Sequence, residues 1–191
     1  MVPLRNTNMT QVLLTSEKFV KGLCNIDDNL AGKYLRSALI EAQEVNLREV
    51  LGDCLLDSVL NWVASNQNEG IEIPEAYEEL IQKCQYALAY RTISSLCIMA
   101  TYKIANVGTV TTSDDNVSNL SWSDLTRVRE YYTHKADYYT RLLQKFLLQN
   151  KSDYPELKEC DCDRMKANLR SSASSGLWLG GARARRLVPM Y

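Results

Sequence analysis

Tyr86-Ala87-Leu88-Ala89-Tyr90-Arg91-Thr92-Ile93-Ser94-Ser95-Leu96-Cys97-Ile98-Met99 is the stretch whose reading decides the fold of this chain. Apolar side chains fall on nearly every side of it and continue through Tyr102 and Ile104. A helix that is hydrophobic all round belongs at the centre of a fold. Pro74 suits its first turn, where a missing N–H would be unpaired anyway. Glu75, Glu78 and Glu79 follow at the positive end of the helix dipole. The expected helix spans Pro74 to Ala105. Arg91 interrupts its apolar run, Ser94 and Ser95 dilute it, and Lys103 closes it early, so it is too short and too polar to cross a bilayer.

Working outward, a second long helix is expected from Ser123 to Gln149, with Ser121 and Asp124 as a variant capping box. Leu125, Val128, Tyr132, Tyr139, Leu143 and Phe146 recur on one face and read as core. Tyr131, Tyr138, Leu142 and Leu147 form a second apolar stripe off that face. Tyrosine is favoured where a ring is covered and its hydroxyl stays wet, so Tyr131 and Tyr138 are read as subunit-interface residues. Between the two helices lies a polar loop. Val107, Thr109 and Thr111 alternate and could pair with 117–120 as a small hairpin. Gly108, Asp114 and Asp115 in that loop cannot be buried without partners, and the loop is expected to project.

Towards the N-terminus, residues 1–14 read as an arm, with Val12-Leu13-Leu14 a strand or an anchor. Thr15 or Ser16 caps a short helix through Gly22. Asp27 and Asp28 start a longer helix that ends at Leu51, with Gly52 just beyond it. Another helix is expected from Asp53 to Ala64, and 65–70 is a polar loop. Beyond Gln149, Tyr154-Pro155 marks an extended segment. The fold class is therefore mainly α: a bundle of about four to five helices, a small β-hairpin or extended loop, and extended arms at both ends. The expected divisions are an arm at 1–14, a helical domain at 15–157 and a basic tail at 158–191.

A chain of 191 residues holds one domain and an appended segment, or two small domains. Its net charge of −1 hides an asymmetry. From Arg164 onward there are six cations and no acid, so the residues before it carry −7. A basic tail on an acidic body is a sign of docking. Leu177-Trp178-Leu179 is an isolated apolar patch in that tail, and Arg183, Arg185 and Arg186 follow it. Trp and Arg are common interface anchors, so Trp178, Arg183, Arg185 and Arg186 are read as binding an acidic protein surface. Nucleic-acid binding by the same arginines is the competing reading.

No arrangement for chemistry stands out. His134 is the one histidine, one turn from Glu130 and Asp137, and lacks a partnered nucleophile. Cys160 and Cys162 could offer two thiolates, but a structural zinc site needs four paired ligands. Gly176, Gly180 and Gly181 lack the Lys-Ser/Thr of a phosphate loop. Cys24, Cys54, Cys84 and Cys97 lie in apolar helical patterns and read as small hydrophobes. The chain opens without an apolar leader, so a reducing cytoplasm without disulfides is expected. No cofactor and no metal are expected, and the chain is read as a non-enzyme that packs against copies of itself.

The order of elements resembles the head–tail connector, or adaptor, proteins of tailed bacteriophages. The features that carry this are Leu13-Leu14-Thr15 before a short helix, Ile26-Asp27-Asp28 opening a helix, and Leu51-Gly52-Asp53 closing it. The second half is similar to ring proteins of the crAss-like phages: Tyr102-Lys103-Ile104-Ala105-Asn106-Val107-Gly108, Ser113-Asp114-Asp115-Asn116, Tyr138-Tyr139-Thr140-Arg141-Leu142 and Asn150-Lys151-Ser152-Asp153-Tyr154-Pro155. The resemblance covers residues 12–157 and leaves the tail from Arg164 unexplained. It implies a virion protein at the head–tail junction, in a twelve-fold ring on the portal protein, with other ring or tail proteins as neighbours. Genomic DNA would pass through the lumen without sequence-specific binding, and no membrane is involved. Gly108, Asp114 and Asp115 would face the lumen or the neighbour. From the residues alone the rival class is a cellular helical module that self-associates and touches nucleic acid with its basic tail.

Overall fold

The computed structural model describes residues 11–24, 26, 30–105, 108–111, 121–158 and 165–169. The protein is mainly helical and forms a bundle. In chain order the helices are α1 (Glu17–Cys24), α2 (Gly32–Glu41), a π-helical turn (Ala42–Leu47), α3 (Arg48–Glu69), α4 (Glu75–Thr101) and α5 (Trp122–Gln149). Two four-residue strands, β1 (Tyr102–Ala105) and β2 (Gly108–Thr111), lie between α4 and α5, and Pro155–Leu157 forms a 3-10 turn.

The apolar run at 86–99 does make α4 the central helix. One core cluster joins Leu80, Ile81, Cys84 and Leu88 of α4 to Leu51, Leu55, Leu56 and Val59 of α3 and to Leu143 and Leu147 of α5. The other joins Ala89, Tyr90, Ile93 and Leu96 of α4 to Val20 of α1, Leu35, Ala38 and Leu39 of α2, and Ala136 of α5. The α4 helix therefore carries both halves of the core. Pro74 opens it as expected, its carbonyl accepting from the N–H groups of Tyr77 at 2.9 Å and Glu78 at 3.1 Å. Ser121 caps α5: its Oγ accepts from the Asp124 N–H at 3.2 Å and donates to the Asp124 carboxylate at 2.6 Å.

Two expected boundaries are corrected. The α4 helix stops at Thr101, and Tyr102–Ala105 becomes β1. The strand at Gly108–Thr111 pairs antiparallel with this upstream segment, Tyr102 opposite Thr111 and Ala105 opposite Gly108, while the expected pairing with 117–120 lies outside the described residues. Aromatic and β-branched residues at 102 and 104 suit a strand, and a partner two residues away closes the smaller loop. The segment at 65–69, expected as a loop, continues α3 to Glu69, where Gly70 adopts φ +70° and donates to the Asn66 carbonyl at 3.0 Å. Polar residues without a Gly or Pro do not end a helix, and the glycine does.

The N-terminal arm is an anchor rather than a strand. Gln43, buried in the π-helical turn, accepts from the Leu14 N–H at 3.1 Å and donates to the Val12 carbonyl at 3.0 Å. Gln85 of α4 donates to the Leu14 carbonyl at 3.0 Å. Leu14 itself is part of the core. Opening one helical turn to π geometry is how a helix admits such an insertion.

At Gly52 the helical path breaks as the sequence predicts, with φ +75° and ψ 167°. This backbone conformation is essentially restricted to glycine. Across the break lies residues 165–169. The Asp53 N–H donates to the Met165 carbonyl at 2.9 Å, and the Met165 N–H returns to the Asp53 carboxylate at 2.8 Å. The Asn168 N–H donates to the Glu49 carbonyl at 3.0 Å, and Gln144 of α5 donates to the Asn168 carbonyl at 2.7 Å. This short strap thus joins α3 to α5. Its start is a correction: 165–169 lies on its own bundle, where the whole basic tail was expected to order only on another chain. Cys54, two positions past Gly52, is disulfide-bonded to a partner outside the described residues, against the expectation of free thiols throughout.

Arg48 spans the same break. Its guanidinium reaches Glu44 at 2.7 Å, Asp53 at 2.9 Å and Asp57 at 3.4 Å. Partial burial alone would raise Glu44, but hydrogen bonds from Arg48 and Gln43 and the Arg48 charge hold its carboxyl below the ordinary glutamate range.

Candidate functional site

The surface of interest is the outer face of α5. Leu125, Ala136, Leu143, Gln144 and Leu147 turn inward and are buried. Helical spacing then turns Tyr131, Tyr138, Leu142, Lys145 and Leu148 outward. Tyr131 is 55% exposed, Tyr138 54%, Leu142 42% and Leu148 45%. The two tyrosines named from the sequence therefore stand on one open stripe together. Leu147, which the sequence places with them, is fully buried in the core instead. It lies four residues from Leu143 and so shares the inner face.

The tyrosines are held rather than loose. Tyr138 stands edge-on to Tyr139 at 5.4 Å and 84°. Tyr139 stacks on Tyr86 at 5.4 Å and on Tyr90 at 5.2 Å, with interplanar angles of 16° and 13°. Phe19 of α1 closes the series edge-on to Tyr86. Tyr131 stands edge-on to Tyr132. Offset and edge-to-face contacts of this kind fix ring orientation as well as burying area. Lys135 lies 4.5 Å from the Tyr131 ring centroid and 5.2 Å from that of Tyr90. Its interaction with Tyr131 raises its pKa above the ordinary lysine value. The sequence reading missed Lys135. Its signal was present, since i, i+4 spacing from Tyr131 puts a cation beside a ring.

A polar cavity of about 140 Å³ lies between the π-helical turn, α3, α4, α5 and the strap, lined by Asn46, Glu49, Arg91, Asp137, Arg141 and Gln144. Two of its charges already meet, Arg91 donating to Asp137 at 2.6 Å. His134 is exposed on α5. Among the described residues, no three His, Cys, Asp or Glu side chains gather into a metal-binding group, and no helix is long and apolar enough to cross a membrane. Burial pushes the Cys24 thiol up to about 11, with Lys135 opposing, and pushes the fully enclosed Cys84 thiol up as well.

Gly108 lies in β2, opposite Ala105. Asp114, Asp115, Trp178, Arg183, Arg185 and Arg186 lie outside the described residues. Residues 47–166 match a family of unknown function (DUF6712), more than half of the chain, and the protein belongs to that family. No curated protein and no solved structure matches it.

Proposed function

We propose that this family member is a structural subunit that self-associates into a closed ring, serving as a head–tail connector of a tailed bacteriophage. The observation that carries the reading is the outer stripe of α5. Tyr131, Tyr138, Leu142 and Leu148 stay open to solvent on a helix whose opposite face buries Leu125, Ala136, Leu143 and Leu147. Rigid, half-covered tyrosines are characteristic of protein interfaces. The resemblance across residues 12–157 supplies the biological setting: a virion ring seated on the portal protein, extending the DNA channel and offering the tail a platform. In this setting the subunit is not an enzyme and needs no cofactor. Trp178, Arg183, Arg185 and Arg186 dock on the portal or on an adjacent subunit, and Asp114 and Asp115 repel DNA phosphate if their loop reaches the lumen.

The test is the mass of the full chain in solution, followed by negative-stain imaging alone and with a portal protein. Closed rings are expected. A chain that remains a monomer, or pairs as a two-fold dimer under both conditions, ends the reading. Deleting residues 171–191 is expected to leave the helical signal unchanged and to abolish docking on the portal. Equal docking by the truncated chain would remove the tail's assigned role.

A further inference from the structure

Resting on the assembly reading above, we propose that the outer face of α5 seats the α3–α4 corner of the next copy of the chain. The two surfaces are unlike and complementary. Around Tyr131, Tyr138 and Leu142, the exposed part of α5 carries Arg127, Arg141 and Lys145, with Lys135 half-buried beside Tyr131 and Glu130 exposed as well, so the face has a surplus of positive charge. Among the described residues Arg141 and Lys145 have no ion-pair partner, while Asp124 and Asp137 on the same helix are engaged by Arg127 and Arg91. The corner between α3 and α4 carries Glu69, Glu72, Glu75, Glu78 and Glu79, all exposed, around Ile71, which is 42% exposed. Of these carboxylates only Glu79 has an ion-pair partner among the described residues, Lys83 at 3.8 Å.

Charge decides how copies can meet. Placing α5 on α5 sets cations against cations, and placing corner on corner sets carboxylates against carboxylates. Like charges face to face disfavour both two-fold arrangements, whereas α5 on corner pairs opposite signs around an apolar seat of Tyr138, Leu142 and Ile71. An interface between two different patches of one chain is heterologous. Such an interface repeats from copy to copy until it closes into a ring or runs on as a filament. The occupant of the α5 face is therefore a second copy, and the direction of assembly is head to tail.

The experiment uses the full-length chain and two charge-reversed variants, Arg141→Glu/Lys145→Glu and Glu72→Lys/Glu78→Lys. None of these four side chains has an ion-pair partner within its own subunit among the described residues, so folding, checked by circular dichroism, is expected to be retained. Sedimentation is expected to show wild type as an oligomer and each variant alone as a monomer, with self-association weakened about 100-fold. Mixing the two variants one to one is expected to restore oligomers of wild-type size, because every contact then pairs opposite signs again. Raising salt from 50 to 500 mM is expected to weaken wild-type association roughly tenfold. Wild-type oligomers that persist in either variant alone, or variants that stay monomeric on mixing, overturn the inference while leaving the assembly reading intact. A wild type that is monomeric at every concentration, both alone and with a portal protein, overturns both.

Discussion

The helices α4 and α5 are nearly equal in length, 27 and 28 residues, and pack along one another, yet they are used differently. Eleven residues of α4 are buried against five of α5. Both are rich in tyrosine and leucine. What separates them is how many neighbours each has: α4 is wrapped by α1, α2, α3 and α5, whereas α5 lies on α4 and leaves half its circumference open. The same apolar residue is core on one helix and surface on the other. An outward leucine of α5 such as Leu142 therefore adds little to the core, whereas Leu88 of α4 is part of it.

The sharpest way to break this comparison is truncation on both helices. Leu88→Ala on α4 is expected to destabilise the subunit by about 3 kcal/mol, by loss of transfer energy plus a cavity in the core. Leu142→Ala on α5 should change subunit stability by less than about 0.5 kcal/mol. Urea unfolding under conditions that keep the chain monomeric checks both, and equal losses would erase the distinction.

Next in size is the strap that fixes the inner side of α5 to α3. A Cβ at Gly52 would lie 2.6 Å from the Ala167 backbone nitrogen and 2.8 Å from the Met165 carbonyl, on a backbone that side chains rarely adopt. Gly52→Ala is expected to lose roughly 2–3 kcal/mol. Gly70→Ala, where φ is also positive but nothing lies within 4 Å, should lose only about 1 kcal/mol. Thermal melts of the pair separate backbone strain from displacement of the strap.

Smaller again is the cap. Ser121→Ala removes the hydroxyl that satisfies the Asp124 N–H and should lose about 1 kcal/mol. Its effect is expected to concentrate in the first turns of α5, where hydrogen exchange should rise around Trp122–Arg127 and not along α4. Smallest is the response to acid. Glu44 has a lowered pKa in the fold, so its contribution is present above its ordinary value of 4.5 and is lost as pH falls through the lowered one. Glu44 is partly solvated, so the loss is slight. A pH titration of stability should show a shallow decline below about pH 4.5 that Glu44→Gln abolishes.

Much of this arrangement is legible from local signals. Pro74 opening α4, the Ser121–Asp124 cap and the break at Gly52 are each written within a few residues. The open stripe at Tyr131 and Tyr138 follows from helical spacing alone. What escaped the sequence is long-range or carried by the main chain. The strap rests on backbone hydrogen bonds and polar side chains, and Met165-Lys166-Ala167-Asn168 has no apolar period to announce it. Leu147 reads as part of the outer stripe because spacing alone does not say how wide the inner face is. The helical end of α3 was hidden because polar residues read as loop until Gly70 is seen to be the stop. The pairing of β2 with 102–105 is not announced by the sequence, because two flanking segments both suit a strand.

The strap also orders events in time. Gly52 and Asp53 are made early, but the groups that satisfy them are 112 positions further along the chain. While the ribosome is still translating α4 and α5, the break in α3 stands with its donor and acceptor unmatched. Only when residues 165–169 emerge can the chain close this seam, so a segment made late completes one made early.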